Sequence, residues 1–141
     1  MTEHDVAIAR DQIRHLLALY NNSADRGRID EFVELFAPDG VLQLSHETLT
    51  GQAAIGAALR GITGGKRSDV DLLGSRHQLT TSRIEIIDES TAQGWTYFFV
   101  SRRGVILQEG TYIDRYVRLP AGWRIAHRRI KMLWTVDGER A

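Results

Sequence analysis

Four residues of the sequence have side chains suited to acid–base chemistry: Tyr20, Asp25, His77 and Arg128. Tyr20 ends an apolar helical stripe, so its ring is expected in the core, where its hydroxyl needs a polar partner. Asp25 follows just beyond that helix, and His77 begins the first long strand-like segment. Arg128 lies in the last such segment, where an inward guanidinium would need an anion beside it. Side chains of these types transfer protons and stabilise developing negative charge.

Each of these residues also has a purely structural interpretation. Tyr20 would be a core tyrosine bonded to a backbone carbonyl, Asp25 a turn or cap residue, and His77 a structural strand histidine. Arg128 would belong to a solvated outer face of its strand. Asp114 lies between an isoleucine and an arginine in the sequence. It would either be a buried carboxyl that faces an internal cavity or pair with an arginine. Spacing alone does not decide between these interpretations.

Composition limits the chemistry further. The chain has 141 residues and no cysteine, so a single domain over 1–141 is expected, and disulfides, thiolate metal sites and thiol nucleophiles are excluded. Its five histidines form no His-x-His pair and no HExxH helix, so no metal is expected. The glycine motifs that bind phosphates or dinucleotides and the serine-hydrolase elbow are also missing. What remains is acid–base chemistry that needs no cofactor, or binding alone.

Charge and the terminal sequence predict the partners and the location. Lysine plus arginine number 18, as do aspartate plus glutamate, and this zero net charge argues against nucleic acid or an anionic membrane as partner. The N-terminus is polar and acidic, unlike a secretory signal, and no apolar run approaches the roughly 20 residues that cross a bilayer. We therefore expect a cytoplasmic, non-membrane protein that binds a small neutral molecule.

The first half of the chain predicts helices. Apolar residues at helical spacing predict a helix over 6–20, and the polar segment 21–27 breaks the pattern. Residues 62–75 carry three glycines and no steady period, which predicts a loop that could form a lid over a pocket. The shorter elements predicted between these segments are a helix over 30–38, a strand over 40–46 and a helix over 50–60.

The second half predicts a strongly bent sheet. Residues 95–100 are apolar on both faces, like a central strand covered on both sides, and Gly110 interrupts the next strand where a bulge could bend it. With helices first and an antiparallel meander last, the fold class is α+β. A bent sheet closed by helices leaves a cone-shaped cavity, which is the default binding site. The predicted strands cover 77–87, 92–102, 105–117 and 123–134.

Eight short motifs, spread over most of the chain, together resemble a known family. They are His15-Leu-Leu-Ala-Leu-Tyr20, Asp25-Arg-Gly-Arg-Ile-Asp30, Glu34-Leu-Phe-Ala-Pro-Asp-Gly40, Thr50-Gly51, Arg76-His77, Thr80-Thr-Ser-Arg-Ile-Glu85, Gly110-Thr-Tyr-Ile-Asp114 and Gly122-Trp-Arg-Ile-Ala-His-Arg128. From about residue 8 to residue 134 the chain resembles the SnoaL-like branch of the nuclear-transport-factor-2-like (NTF2-like) superfamily. The resemblance implies an α+β barrel shaped as a cystatin-like cone, with N-terminal helices packed on a curved antiparallel sheet around an apolar pocket.

Within that superfamily the motifs are most similar to lyases: scytalone dehydratase, the bile-acid 7α-dehydratases and hexachlorocyclohexane dehydrochlorinase. The resemblance implies a dyad in which Asp25 orients His77 as a general base. Tyr20 matches a tyrosine of the dehydratases, where the dehydrochlorinase has lysine, and Arg128 matches an arginine that follows the strand tryptophan. Tyr20 and Arg128 would then donate hydrogen bonds where negative charge develops.

Ketosteroid isomerase offers a contrast, because its oxyanion-binding residues align with Tyr20 and Asp114 but its general-base aspartate aligns near Leu44, which cannot accept a proton. Three functions stay open: a dehydratase-type lyase, an isomerase or polyketide cyclase with the same dyad, and a non-catalytic binding domain or accessory subunit. The expected ligand is a small apolar ring compound of steroid, polyketide or terpenoid type, and the expected assembly is a homo-oligomer, dimer or trimer. The residues expected to contact this ligand are Asp114, Phe36, Tyr97, Phe98, Val100 and Tyr112.

Overall fold

The computed structural model describes residues 1–63 and 74–136. Among these residues, no helix is long and apolar enough to span a membrane. The predicted loop and lid over 62–75 lies largely outside the described residues. The elements in chain order are α1 (Glu3–Asp25), α2 (Ile29–Val33), β1 (Phe36–Gln43), β2 (Thr48–Thr50), α3 (Gln52–Thr63), β3 (Arg76–Ile86), β4 (Thr91–Arg102), β5 (Val105–Leu119) and β6 (Gly122–Thr135).

Helix α1 carries the apolar stripe that the sequence predicts. A capping box starts it: the Asp5 N–H donates to the Thr2 hydroxyl at 3.1 Å, and the Thr2 N–H donates to the Asp5 carboxylate at 2.9 Å. The stripe from Ala9 to Tyr20 is buried in the core that α1 shares with the sheet. Because a helix in water is held mainly by packing of its apolar face, this burial stabilises α1 along its length.

Helix α1 also continues past the predicted break at Asn21. Asn21 and Ser23 are buried, and the Ser23 hydroxyl donates to a carbonyl of the preceding turn at 3.2 Å, so the helix accommodates both polar side chains. The chain leaves the helix at Gly27, whose φ of +70° suits glycine, and the Arg28 N–H donates to the Ser23 carbonyl at 2.8 Å. Asp25 is therefore the last helical residue rather than a residue beyond the helix.

The strands form one curved, open sheet in the order β2-β1-β6-β5-β4-β3. Strands β1 and β6 pair in parallel, whereas every other pair is antiparallel. The prediction of a wholly antiparallel sheet is therefore wrong for β1. These two strands lie at opposite ends of the chain, so no turn signal in the sequence specifies the direction in which they pair.

The segment before residue 44 also differs from its prediction. The second helix ends at Val33 instead of continuing to Pro38, and β1 begins at Phe36, which pairs with Ile125 of β6. Pro38 lies where the register shifts between Phe36 and Val41, so its missing N–H disrupts no regular ladder. Strand β2 has only three residues and was not predicted, because alternation cannot be seen over so short a stretch.

Strands β3 to β6 begin and end within two residues of their predicted positions. The β5–β6 register shifts at Gly110, where a bulge was predicted, but the extra residue is Leu133 of β6, because Glu109 pairs with Trp134 and Gly110 with Met132. On β4, Phe98 and Val100 are buried in the core while Tyr97 is 54% exposed on the opposite face. Adjacent residues of a strand point to opposite faces, so the prediction that Tyr97 lines the same cavity as Phe98 is wrong.

Candidate active site

The end of α1 lies beside the start of β3, and this junction joins Asp25 to His77. The Asp25 Oδ1 atom lies 2.7 Å from Nδ1 of the His77 ring, and Oδ2 accepts the His77 backbone N–H at 2.9 Å. The side chain of Asp25 is 17% exposed and that of His77 is 22% exposed. An ionised carboxylate only accepts hydrogen bonds, so Nδ1 is the ring nitrogen that donates to Asp25. In the neutral imidazole with this tautomer, Nε2 has the lone pair that can accept a proton.

The position of β3 at the edge of the sheet explains this contact. Within the described part of the chain, β3 pairs only with β4, so the backbone N–H groups on its other side face no neighbouring strand there. Asp25 supplies an acceptor for one of them, at His77. The carboxylate thus protects an edge strand and orients the imidazole at the same time.

An aromatic path leads from the dyad into the interior. The ring centroids of His77 and Phe98 are 6.1 Å apart, and Phe98 stacks on Tyr112 at 4.4 Å with an interplanar angle of 14°. Gly110 makes room for this stack, because a Cβ atom there would come within 2.7 Å of the Phe98 ring. Val100, which lies opposite His77 in the β3–β4 register, is fully buried. These residues connect the dyad to the core.

At the inner end of this path, Arg128 and Asp114 form a bidentate ion pair. They lie opposite each other in the β5–β6 register, and Nε and Nη2 of the arginine donate to Oδ1 and Oδ2 at 2.8 Å each. Both side chains are fully buried. The Tyr116 hydroxyl also donates to Oδ2, at 2.5 Å. Asp114, predicted to contact the ligand, thus has both oxygens engaged within the protein.

Two tyrosine rings enclose the guanidinium of Arg128. Its central carbon lies 4.1 Å from the ring centroid of Tyr20 and 3.9 Å from that of Tyr112. Such cation–π contacts are strongest where water is excluded. Tyr20 therefore faces the core, as its helical spacing predicts, and lies beside the arginine with which it was paired as a candidate donor.

Arg128 faces inward because of an irregularity in β6. Its neighbours Ile125 and His127 pair with successive residues of β5, so Ala126 between them has no residue opposite. This extra residue reverses the alternation, and both Ile125 and Arg128 are buried. Strict alternation along the strand only places Arg128 on the same face as Ala126, and that face could be the solvated outer one. The buried ion pair with Asp114 shows that Arg128 does not lie on the outer face.

Burial sets the protonation of this interior. Burial alone would lower the pKa of Arg128, but the Asp114 carboxylate more than offsets it and the pKa lies well above the ordinary value. Burial raises the pKa of Tyr20, while the guanidinium acts in the opposite direction. Burial also raises the pKa of Tyr112 and Tyr116 well above the ordinary value. In neutral solution the arginine stays charged and the phenols keep their protons.

Three residues of this interior were not predicted from the sequence: Phe32, Tyr116 and Asn21. Phe32 packs on Tyr20 at 4.5 Å between ring centroids, beside the predicted Phe36 at 6.1 Å. Tyr116 follows the strand alternation of β5, which is a signal that could have found it. Asn21 has no such signal, because an asparagine at the end of an apolar stripe is typical of a helix stop.

Two buried nitrogen atoms have no hydrogen-bond partner in the described part of the chain: Nδ2 of Asn21 and Nη1 of Arg128. We call them the two unpaired donors. The amide oxygen of Asn21 accepts the Tyr112 hydroxyl at 3.0 Å, so Asn21 and Arg128 both contact the same tyrosine. An oxygen atom that accepts hydrogen bonds is the chemical complement of these donors.

A surface groove lies apart from the acid–base groups. A groove of about 670 Å³ runs along α1 and the turn between β5 and β6, and its lining includes Leu16, Trp123 and Arg124 but none of the predicted site residues. Within residues 1–63 and 74–136, no three histidine, aspartate or glutamate side chains lie close enough together to hold a metal ion. The dyad is the candidate active site because the groups that can transfer protons meet there.

The family model of the SnoaL-like domain matches residues 5–129 of this sequence. The chain belongs to this family. The resemblance given by the sequence motifs is thereby confirmed for this SnoaL-like domain. No curated protein matches its sequence.

Solved structures share the fold of this SnoaL-like domain. An NTF2-like protein with a cystatin-like fold from Novosphingobium aromaticivorans is 28% identical, with 94% of this chain and 85% of that chain covered and a TM-score of 0.77. A proposed scytalone dehydratase from the same organism is 20% identical, with coverages of 96% and 91% and a TM-score of 0.81. LinA is 14% identical, with coverages of 98% and 96% and a TM-score of 0.81. The predicted NTF2-like, cystatin-like fold is confirmed.

Proposed function

We propose that this SnoaL-like domain is a cofactor-independent lyase of the dehydratase type that acts on a small apolar ring compound. One observation carries the proposal: a single carboxylate, that of Asp25, binds both the ring Nδ1 and the backbone N–H of His77. Two contacts to one side chain hold the imidazole in one orientation, with Nε2 as the atom that accepts a proton. The fold likeness to a proposed scytalone dehydratase agrees with an elimination reaction.

The proposed reaction needs no oxidant or reductant. Nε2 of His77 removes a proton from a ring carbon, the electron pair of that C–H bond forms a C=C bond, and the C–O bond on the neighbouring carbon breaks. The imidazolium then gives the same proton to the departing hydroxyl, which leaves as water. Asp25 stabilises the imidazolium between these two transfers, and the enzyme returns to its starting state.

Tyr20 and Arg128 are proposed to stabilise negative charge that develops on the substrate. The raised pKa of Tyr20 favours donation of a hydrogen bond over release of its proton. Arg128 uses two of its nitrogen atoms for Asp114, so Nη1 is the atom that can turn to a ligand. A preplaced donor of this kind contributes roughly 10²- to 10³-fold in rate.

Four apolar and aromatic residues of the core suit an apolar ring. Phe36, Phe98, Val100 and Tyr112 are all buried in the core, and they offer aromatic and aliphatic surface to a steroid-, polyketide- or terpenoid-like ligand. Burial of the ligand's own apolar surface among these side chains would drive binding without any charge on the ligand. The homo-oligomer and the cytoplasmic location stay predictions of the sequence.

The test uses 3-hydroxy-1-tetralone, a bicyclic ring compound that loses water to give a tautomer of 1-naphthol, which is followed by its fluorescence. We expect the wild-type domain to accelerate this reaction, and His77→Gln to lower kcat/KM about 10²- to 10⁴-fold, because the general base is lost. Asp25→Asn should lower it as well, since an amide no longer stabilises the imidazolium.

The matched control is His46→Gln, because the side chain of His46 is 59% exposed between β1 and β2. This variant should keep the wild-type rate, and circular dichroism should show the same fold for all variants. The proposal fails if the wild-type domain gives no acceleration, or if the His77→Gln variant is as fast as His46→Gln.

A further inference from the structure

Asn21 is an unusual residue for its position in the helix. It lies in α1 directly after Tyr20, and it is only 5% exposed. Asparagine is a poor helix former whose side chain prefers caps and turns. Burial of a primary amide is unfavourable unless its hydrogen bonds are made. A polar residue of this kind in the core indicates a role that an apolar side chain would not perform.

One contact fixes the direction of the Asn21 amide. The Tyr112 hydroxyl donates to the amide oxygen at 3.0 Å, and both groups are buried. Because the amide oxygen accepts this hydrogen bond, the amino group of Asn21 is turned the other way. Nδ2 is thus presented as a donor, and residues 1–63 and 74–136 provide no acceptor for it.

Arg128 supplies the second unpaired donor beside the same ring. Its guanidinium lies 3.9 Å from the centroid of Tyr112, and Asp114 holds it there by two hydrogen bonds. One donor therefore lies at the hydroxyl end of Tyr112 and the other against its face. The same aromatic ring stacks on Phe98, which leads to His77. The two donors and the dyad are parts of one continuous interior.

We propose that Asn21 is a specificity-determining residue, and that its Nδ2 together with Nη1 of Arg128 binds the carbonyl oxygen of a cyclic ketone. The role of that ketone as substrate rests on the proposed function, whereas its binding does not. A ring with no acceptor oxygen would leave both buried donors without a partner and would bind poorly for that reason. Sites built to hydrogen-bond a ligand discriminate strongly against analogues that lack the bonding group.

The test compares 1-tetralone with tetralin, its hydrocarbon analogue, by titration of the quenching of tryptophan fluorescence. Transfer from water alone favours tetralin, because the hydrocarbon is the more hydrophobic of the two. The proposal predicts the opposite order, with 1-tetralone binding at least about tenfold more tightly to the wild-type domain. Equal binding, or tighter binding of tetralin, overturns the proposal.

Two variants assign the effect to Asn21. Asn21→Leu removes the amide, and Asn21→Asp keeps an oxygen for the Tyr112 hydroxyl but replaces the donor with an acceptor. Each should weaken 1-tetralone binding about tenfold and leave tetralin binding at its wild-type level or tighter. The matched control is Asn22→Leu, because the neighbouring Asn22 is exposed on the same helix. Wild-type affinity for the ketone in both Asn21 variants overturns the proposal.

A second readout in the wild-type protein keeps the test valid if a variant fails to fold. The side-chain ¹⁵N–H₂ resonance of Asn21 should shift on addition of 1-tetralone and stay unchanged with tetralin, whereas that of Asn22 should respond to neither. No shift at Asn21 overturns the proposal. If the domain binds the ketone selectively but His77→Gln keeps the wild-type elimination rate, the proposed function is refuted and this inference is not. If His77→Gln loses elimination but the domain does not prefer the ketone, this inference alone is refuted.

Discussion

The buried pair of Arg128 and Asp114 allows a quantitative prediction of stability. Arg128→Met removes the guanidinium but keeps a long apolar side chain, and Asp114→Leu removes the carboxylate at similar volume. Both side chains are fully buried, so each single substitution leaves a polar group in the core without its charged partner. The double substitution replaces the whole pair by apolar side chains.

The expected magnitudes follow from desolvation. Removal of one partner of a buried pair costs about 3–5 kcal/mol of unfolding free energy, because the remaining charge is not returned to water. Arg128→Met also deletes two hydrogen bonds and the contacts with the Tyr20 and Tyr112 rings. The total free energy of unfolding of such a domain is about 5–15 kcal/mol, so each single substitution should remove a large share of the stability. The double variant should lose less than either single variant.

Urea unfolding of the four proteins, followed by tryptophan fluorescence at pH 7, closes the double-mutant cycle. Asp30→Asn serves as the control, because Asp30 forms an ion pair with Arg60 in which both side chains are exposed. Such a pair should contribute little to the free energy of unfolding. The two charges are not coupled as expected if the single variants are as stable as that control, or if the loss in the double variant equals the sum of the single losses.

Three further predictions concern packing and ionisation. Gly110→Ala places a Cβ atom 2.7 Å from both the Phe98 ring and the Lys131 carbonyl oxygen, so we expect calorimetry to show a loss of about 1–3 kcal/mol, and an unchanged midpoint would contradict the stack. The urea midpoint should fall above about pH 10, because Tyr20, Tyr112 and Tyr116 ionise in the unfolded chain while their raised pKa values keep them protonated in the folded protein. A urea midpoint that stays constant from about pH 9 to 11 would contradict this. Phe98→Leu should weaken 1-tetralone binding in the fluorescence titration and Tyr97→Leu should leave it unchanged, so equal effects would reject the assignment of faces.

Much of the fold follows from periodicity. The stripe of α1 and the four long strands were predicted, because their buried faces repeat at helical or strand spacing over many residues. The end of α1 was not, because Asn21 and Ser23 read as stop signals and only their buried contacts reveal the helix. The parallel pairing of β1 with β6 was missed for a related reason, since it joins strands that no turn connects.

The site was predictable in part. Residue type and position singled out Tyr20, Asp25 and His77 but left their roles undecided. The pairing of Asp25 with His77 was implied by the resemblance to a family. The inward direction of Arg128 depends on the unpaired Ala126, and a single-residue bulge leaves no periodic signal. Tyr97 was assigned wrongly because the segment 95–100 is apolar on both faces, so alternation could not show which face is the core.

The central claim is that His77, held by Asp25, takes a proton from a carbon atom of its ligand. The most direct measurement is the exchange of the C2 protons of 1-tetralone for deuterium in D₂O, followed by ¹H NMR, because it detects proton removal without elimination. We expect exchange at least about 10²-fold faster with the wild-type domain and with His46→Gln than with His77→Gln. Exchange that is equally fast with His77→Gln would show that His77 is not the base.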